Sequence, residues 1–482
     1  MGMGRTSLSF ALALSLTACG GGGGSSGGPT FGNGGGTPTP TPSTASCSLS
    51  ARQDFAKSVI DEWFLYPELI DNSVNKANYS SVQAYIDAVL RPFFQQKKNA
   101  QFTYITSIKE EEAFYNSGAS AGFGFRLSYD TSQNRVYVLE TFEGTAALAA
   151  GIDRGTEILA IGTTSSNLVT VSSLLASGGP QAVVNALGPN TAGTARVLRV
   201  NRGGTVSEVT VTKTDYSLDP VSNRYGALVL NDGGKQVGYI NLRTFIDTAE
   251  ADLRTAFATF KAQGITEVIV DVRYNGGGLV SIANLFGDLL GANRVGQVFS
   301  YTTFRQSKAP NNSTRLFTTQ PQAIGATKIA FIGSDATASA SELLAASFIP
   351  YLGTNTALIG SNTYGKPVGQ IAIDKPECDD RMRVVAFKTE NANRQGDYFG
   401  GLASIFQKTC AAPDDISRPL GDPSEAQIKA ALDFLAGRAC TPIGGAAATA
   451  GAAQKSMSTA PERELIRPSE AGTPDREAPG RF

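Results

Sequence analysis

Three short stretches of this sequence carry residue types that could do covalent or acid–base chemistry. The first is Asp271-Val272-Arg273-Tyr274-Asn275-Gly276-Gly277-Gly278, between an apolar run and a helical pattern. Consecutive glycines let backbone N–H groups approach a bound oxygen closely, although a plain strand-to-helix turn would use them equally well. The second is Thr337-Ala338-Ser339-Ala340-Ser341-Glu342. Ser339 and Glu342 have capping-box spacing. A serine at a helix N-terminus also lies in positive potential, which favours an oxyanion formed beside it. The residues alone leave Ser339 and Ser341 as equal candidates for a nucleophile. The third is Thr363-Tyr364-Gly365-Lys366-Pro367-Val368-Gly369-Gln370. A lysine in such a loop is either a solvated charge or a base. As a base it must lose its proton near neutral pH, and a downward pKa shift of about 3 units costs about 4 kcal/mol. Burial can supply that, with the neutral amide of Gln370 orienting the amine.

Composition narrows the chemistry. The 482 residues contain no histidine, which excludes Ser-His-Asp and Cys-His mechanisms and histidine-ligated zinc. No metal or cofactor is expected. Lys plus Arg number 41 against 42 Asp plus Glu, a balance that argues against nucleic acid as the main partner. Neither GxGxxG nor GxxxxGK[ST] is formed around the three glycines, so a nucleotide loop is disfavoured.

The elements that must position these loops can be read from hydrophobic period. Residues 47–115 have a helical pattern, with Phe55, Val59, Ile60 and Trp63 at spacings of three and four and Ser80 or Ser81 as a later cap. No catalytic signal stands out there. Residues 116–215 change to period two, with five strand-like runs and two helical ones. Residues 216–440 alternate strands and helices, which predicts a layered α/β core and a mixed, multidomain α/β chain. Before these, residues 1–18 read as a secretory signal and 19–46 as a Gly/Ser/Pro linker spanning roughly 30 Å. Residues 441–482 are rich in Ala, Gly, Pro and charge and read as a disordered tail. In an exported chain Cys47, Cys378, Cys410 and Cys440 suggest two disulfides. The expected pairs are Cys378 with Cys410, which flank one polar segment, and Cys47 with Cys440, at the two ends of the folded part.

Two resemblances sharpen this reading. Gly122-Phe123-Gly124-Phe125, followed by Ala149-Ala150-Gly151-Ile152, Gly155 and Ile158-Leu159-Ala160-Ile161-Gly162, resembles a PDZ domain. Thr156 departs from the Asp often found after that glycine. The resemblance implies that Gly122, Phe123, Gly124 and Phe125 take a terminal carboxylate and that a strand edge takes the peptide. Leu16-Thr17-Ala18-Cys19 resembles the lipobox of bacterial lipoproteins. It implies lipid on Cys19 and a membrane anchor, with Gly20 rather than Asp pointing to the outer membrane of a diderm cell.

Taken in order, DVRYNGGG, TASASE and YGKPVGQ resemble the tail-specific, or carboxyl-terminal-processing, serine peptidases over about residues 117–440. That resemblance implies Ser339 as nucleophile, Lys366 as general base and Gln370 as its partner. It implies an oxyanion hole from the backbone of Gly276 or Gly277 and of Ala340, and a core of the crotonase/ClpP-like layered type. The 27 residues from Ser339 to Lys366 are slightly more than expected for the family. The implied function is an exported, lipid-anchored endopeptidase at the periplasmic face, acting on polypeptides with apolar C-terminal tails. Two alternatives remain: a catalytically silent peptide-binding lipoprotein on the same scaffold, and a crotonase-like acyl enzyme.

Overall fold

The computed structural model describes residues 46–97, 101–130, 132–444, 463–469 and 471–482. The signal segment, Cys19 and the linker up to residue 45 lie outside the described residues. At its centre is a six-stranded sheet, ordered Ala227–Asp232, Lys235–Asn241, Glu267–Asp271, Lys328–Gly333, Thr356–Gly360 and Thr409–Ala411. The first pair is antiparallel and the rest are parallel. The parallel strands read as apolar runs because both faces are covered. Helices Ala249–Ala262, Val280–Leu290 and Ala340–Leu352 bury Phe257, Phe286 and Phe348 in one core cluster. Helix Ala426–Leu435 closes the other face over Ile269, Ile332 and Ile359. The expected layered α/β architecture is present.

A second sheet was not signalled by the alternation of elements. Its long strand Asp380–Glu390 pairs with Tyr104–Ser107, Val298–Phe304 and Val368–Lys375. The run VGQIAI therefore leaves the central sheet and lies across this one. The 47–115 region is helical at Leu49–Trp63, Val82–Val89, Arg91–Gln96 and Ile108–Ser117, but it also contributes that strand Tyr104–Ser107. Ser81, not Ser80, caps its helix by accepting the Ala84 N–H at 3.1 Å.

Residues 119–217 form a separate β-rich module. Strands Ala119–Gly122 and Thr214–Ser217 pair antiparallel, so entry and exit are held together. Between them Phe125–Asp130, Arg135–Thr141, Glu157–Gly162, Ala195–Arg202 and Thr205–Thr212 form one sheet, with helix Val171–Leu187 against it. Buried ions tie the module to the core. Glu140 accepts from Arg126, Arg243 and Tyr225, and Arg154 donates to Asp414 and to the Tyr274 hydroxyl.

Two expectations need correction. The disulfides are Cys47–Cys378 and Cys410–Cys440. Helix Leu49–Trp63 packs on strand Asp380–Glu390, with Arg52 bound to Asp380, and this brings Cys47 to the turn that holds Cys378. Cys410 lies on the last core strand, and Cys440 returns to it after helix Ala426–Leu435. Proximity along the chain misled in one case and the pairing of the two ends in the other. The second correction is the tail. Residues 463–469 and 471–482 are ordered: Arg463–Leu465 adds a strand beside Phe125–Asp130, and Thr473–Glu477 is a short helix. Its composition is that of disorder, but Ile466, Ala478 and Phe482 are buried and an open sheet edge satisfies its backbone.

Candidate active site

The three loops meet because three neighbouring parallel strands end together. Asp271 pairs with Ile332, and Gly333 with Gly360. Each loop leaves the carboxyl end of its strand, where open α/β sheets hold their ligands.

The glycine loop is fixed from below. Asp271 and Arg273 are fully buried and paired at 2.8 Å, and Arg273 also reaches Glu425 at 3.1 Å. Asn275 then laces the loops together. Its Nδ2 donates to Leu242 O at 2.9 Å, and its carbonyl accepts from Ala338 N–H and from the Ser341 hydroxyl, both at 3.1 Å. Its Oδ1 accepts the Gly277 N–H at 2.9 Å, so that donor is engaged within the loop. The Gly276 N–H instead points out of the loop and meets Glu477 O at 3.0 Å.

The two serines have different settings. Ser341 is buried and its hydroxyl is committed to Asn275. Ser339 is half-buried, with φ 57° and ψ −115°, immediately before helix Ala340–Leu352. A non-glycine residue held there costs about 1–3 kcal/mol and persists where its surroundings over-determine it. The bend places Ser339 and the Ala340 N–H together at the positive end of the helix.

Lys366 is 8% exposed. Its Nζ donates to Gln370 Oε1 at 2.8 Å and lies 5.5 Å from the centre of the Phe102 ring. Gln370 Nε2 in turn donates to Phe102 O. Burial lowers the Lys366 pKa from its ordinary value, while the carboxylates of Glu477 and Glu342 act against that shift. The N-terminal region, which carried no chemical signal, thus supplies one wall of the site.

Glu342 joins the serine and lysine loops. Its buried carboxylate accepts from the backbone N–H of Ser339 at 3.1 Å, Lys366 at 2.7 Å and Gly365 at 2.9 Å, and from the Thr363 hydroxyl at 2.6 Å. Burial pushes its pKa up to about 7 despite these donors. Its spacing from Ser339 was legible as a cap, but its grip on the lysine loop was not. Asn275 gave no signal beyond its place beside the glycines.

At Gly122–Phe125, the N–H groups of Gly124 and Phe125 both donate to Phe482 O, at 2.9 and 3.2 Å. Among the described residues no group of three or more Cys, Asp or Glu is placed to hold a metal ion.

Residues 236–395, which carry all three loops, match the family model for Peptidase family S41. The chain is 26% identical over 331 residues to a carboxyl-terminal-processing protease of Picosynechococcus, covering 66% of this chain and 71% of that one. It is 24% identical over 385 residues to a carboxyl-terminal-processing protease of Synechocystis, covering 78% and 81%. The segment 236–395 is thus of the S41 peptidase type, and most of the chain is similar to carboxyl-terminal-processing proteases. A crystal structure assigned to the S41 proteases, from Bacteroides fragilis, shares the fold with TM-score 0.60 and 21% identity, covering 80% of this chain and 97% of that one. These likenesses support a peptidase, a hydrolase of peptide bonds.

Proposed function

We propose that this peptidase is a serine endopeptidase in which Ser339 and Lys366 form the catalytic pair. The observation that carries this reading is the shared carboxylate of Glu342, which holds the backbone of both residues in one frame. Neutral Lys366 takes the proton of the Ser339 hydroxyl, and Oγ bonds to the peptide carbonyl carbon. The N–H groups of Gly276 and Ala340 receive the oxyanion. The C–N bond breaks as the Lys366 ammonium returns its proton to the leaving amine. Water, giving a proton to Lys366, then adds to the ester carbonyl, and that proton returns to Ser339 Oγ as the acid departs. Gln370 orients the amine and adds no charge that would favour its protonated form.

Substrates enter by their ends. Paired N–H groups at Gly124 and Phe125 suit a terminal carboxylate, and the Phe125–Leu127 edge of the strand suits a short extended, apolar tail. This supports the PDZ reading of the module. The lipobox-like residues before Cys19 support an exported enzyme held by lipid at the cell envelope. No helix among the described residues is long and apolar enough to cross a membrane.

The test is cleavage of an unfolded polypeptide ending in an apolar residue. Ser339→Ala lowers kcat by about 10⁴-fold or more while leaving tail binding intact. Cleavage by that variant at the parent rate would show that another residue is the nucleophile.

A further inference from the structure

The groove proposed for substrate is filled by the chain itself. Phe482 N–H donates to Phe125 O at 2.9 Å, and Leu127 N–H donates to Gly480 O at 2.7 Å. With the two bonds to Phe482 O, these lay residues 480–482 along the Phe125–Leu127 part of the strand edge, beyond the part that Arg463–Leu465 covers. Arg126, fully buried, donates to Pro479 O and to Tyr274 O, directly before the glycine loop. The Phe482 ring joins the apolar cluster of Phe123, Phe125, Leu127, Val183 and Leu187.

Five residues earlier the same segment crosses the catalytic centre. Glu477 O takes the Gly276 N–H, and a Cβ on Gly276 would stand 1.9 Å from Arg476 O. The Glu477 side chain is 4% exposed, and its Oε2 has no hydrogen-bond partner among the described residues. A Cβ on Gly277 would lie 3.0 Å from that oxygen and 2.7 Å from Ser339 Cβ. The carboxylate therefore stands beside the nucleophile, within the field of Lys366. Thr473 anchors the start of the segment on the Tyr104 hydroxyl at 3.0 Å and Glu111 at 2.6 Å.

The segment is not laid out for cleavage. Thr473–Glu477 is helical, and Ala478 N–H closes the turn on Pro474 O at 3.0 Å. The Glu477–Ala478 bond is thus inside a turn rather than extended across the nucleophile. The Glu477 carboxylate also acts against the lowering of the Lys366 pKa by burial.

Resting on the peptidase reading above, we infer that residues 472–482 are a resident occupant of the substrate groove, closing the catalytic centre until a polypeptide with an apolar terminal residue displaces Phe482. Phe482→Asp in the full chain places a charge in the apolar pocket and releases the segment. Glu477→Ala loosens it at the centre and serves as the second variant. With a reporter peptide, both raise kcat/KM by about tenfold or more, because the closed fraction no longer reduces apparent affinity. In the Ser339→Ala background, a labelled peptide of sequence GTPDREAPGRF binds the Phe482→Asp variant about tenfold or more tighter than the otherwise unaltered chain, where it must first displace the resident segment. Equal peptide binding with and without Phe482→Asp overturns the proposal. So does Ser339-dependent loss of residues 478–482 from the intact chain, read by mass, since the segment would then be a substrate. Opened binding with no turnover by any variant leaves the occupant in place and removes the peptidase reading instead.

Discussion

Glu342 Oε2 lies 2.7 Å from the backbone nitrogen of Lys366, 24 residues away along the chain, and the same oxygen takes the Ser339 N–H. Ser339 and Lys366 are thus positioned through their main chains by one buried carboxylate. A carboxylate can accept at both oxygens, whereas a carboxamide has one accepting oxygen and a nitrogen that would face an N–H. Glu342→Gln should lower kcat by about 10²-fold with little change in KM, and should lower Tm. Steady-state kinetics beside a thermal melt checks this. Unchanged kcat with a lowered Tm would leave Glu342 a structural cap only.

The rising limb of the pH–rate profile should respond to Glu477. Lys366 is faced by Glu477 and Glu342, which stabilise its ammonium, and by Arg476 and Arg383, which do not; burial dominates and lowers its pKa. Glu477→Gln removes a stabilising negative charge, so the free amine forms at lower pH. The rising limb of kcat/KM should move toward acid. A shift toward alkali, or none, would mean that Glu477 does not share the field of the base.

Acid should separate the β-rich module from the core. Burial alone would raise the Glu140 pKa, but Arg243 and Arg126 override it and hold Glu140 down to about 2. A depressed carboxylate stabilises the fold above its unfolded value of 4.5, and that stability is lost as pH falls toward about 2. Glu140→Gln should cost about 3–5 kcal/mol at pH 7, because it leaves Arg126 and Arg243 buried without their anion. Melts of both proteins should converge as pH falls through this window. A constant gap between them would contradict the assignment.

Reduction should weaken the N-terminal wall of the site. Cys47–Cys378 joins positions 331 residues apart and Cys410–Cys440 positions 30 apart. Loss of a native disulfide typically costs about 2–5 kcal/mol. A Cys47→Ser, Cys378→Ser double variant should lower Tm and also kcat, since Phe102, which holds Gln370, lies in the region thus released. A Cys410→Ser, Cys440→Ser variant should lower Tm with a smaller effect on kcat.

Much of this site was legible because its chemistry is local in sequence. The glycine run, the serine before a helix and the lysine before a proline each sit at the end of an apolar strand, and parallel pairing then brings the loops together. Histidine's absence narrowed the possible bases without choosing one. What could not be read depends on long-range contact. Nothing in the residues around Phe102 announces that its carbonyl will hold Gln370, 268 positions later. The pairing of Cys47 with Cys378 follows from a helix lying on a strand that the hydrophobic period did not reveal. The final segment has the composition of a disordered tail. Its order comes from an edge strand and an apolar pocket elsewhere in the chain, which composition does not record.

The Cys47–Cys378 bond also makes a covalent ring of most of the fold. Cys47, one residue before the cap of helix Leu49–Trp63, is covalently linked to the turn between strands Val368–Lys375 and Asp380–Glu390. That hairpin carries eight backbone pairings and, on its first strand, Gln370. That link ties the start of helix Leu49–Trp63 covalently to the hairpin. Gln370, the partner of the Lys366 amine, therefore sits on a strand that is covalently tied to the N-terminal helices.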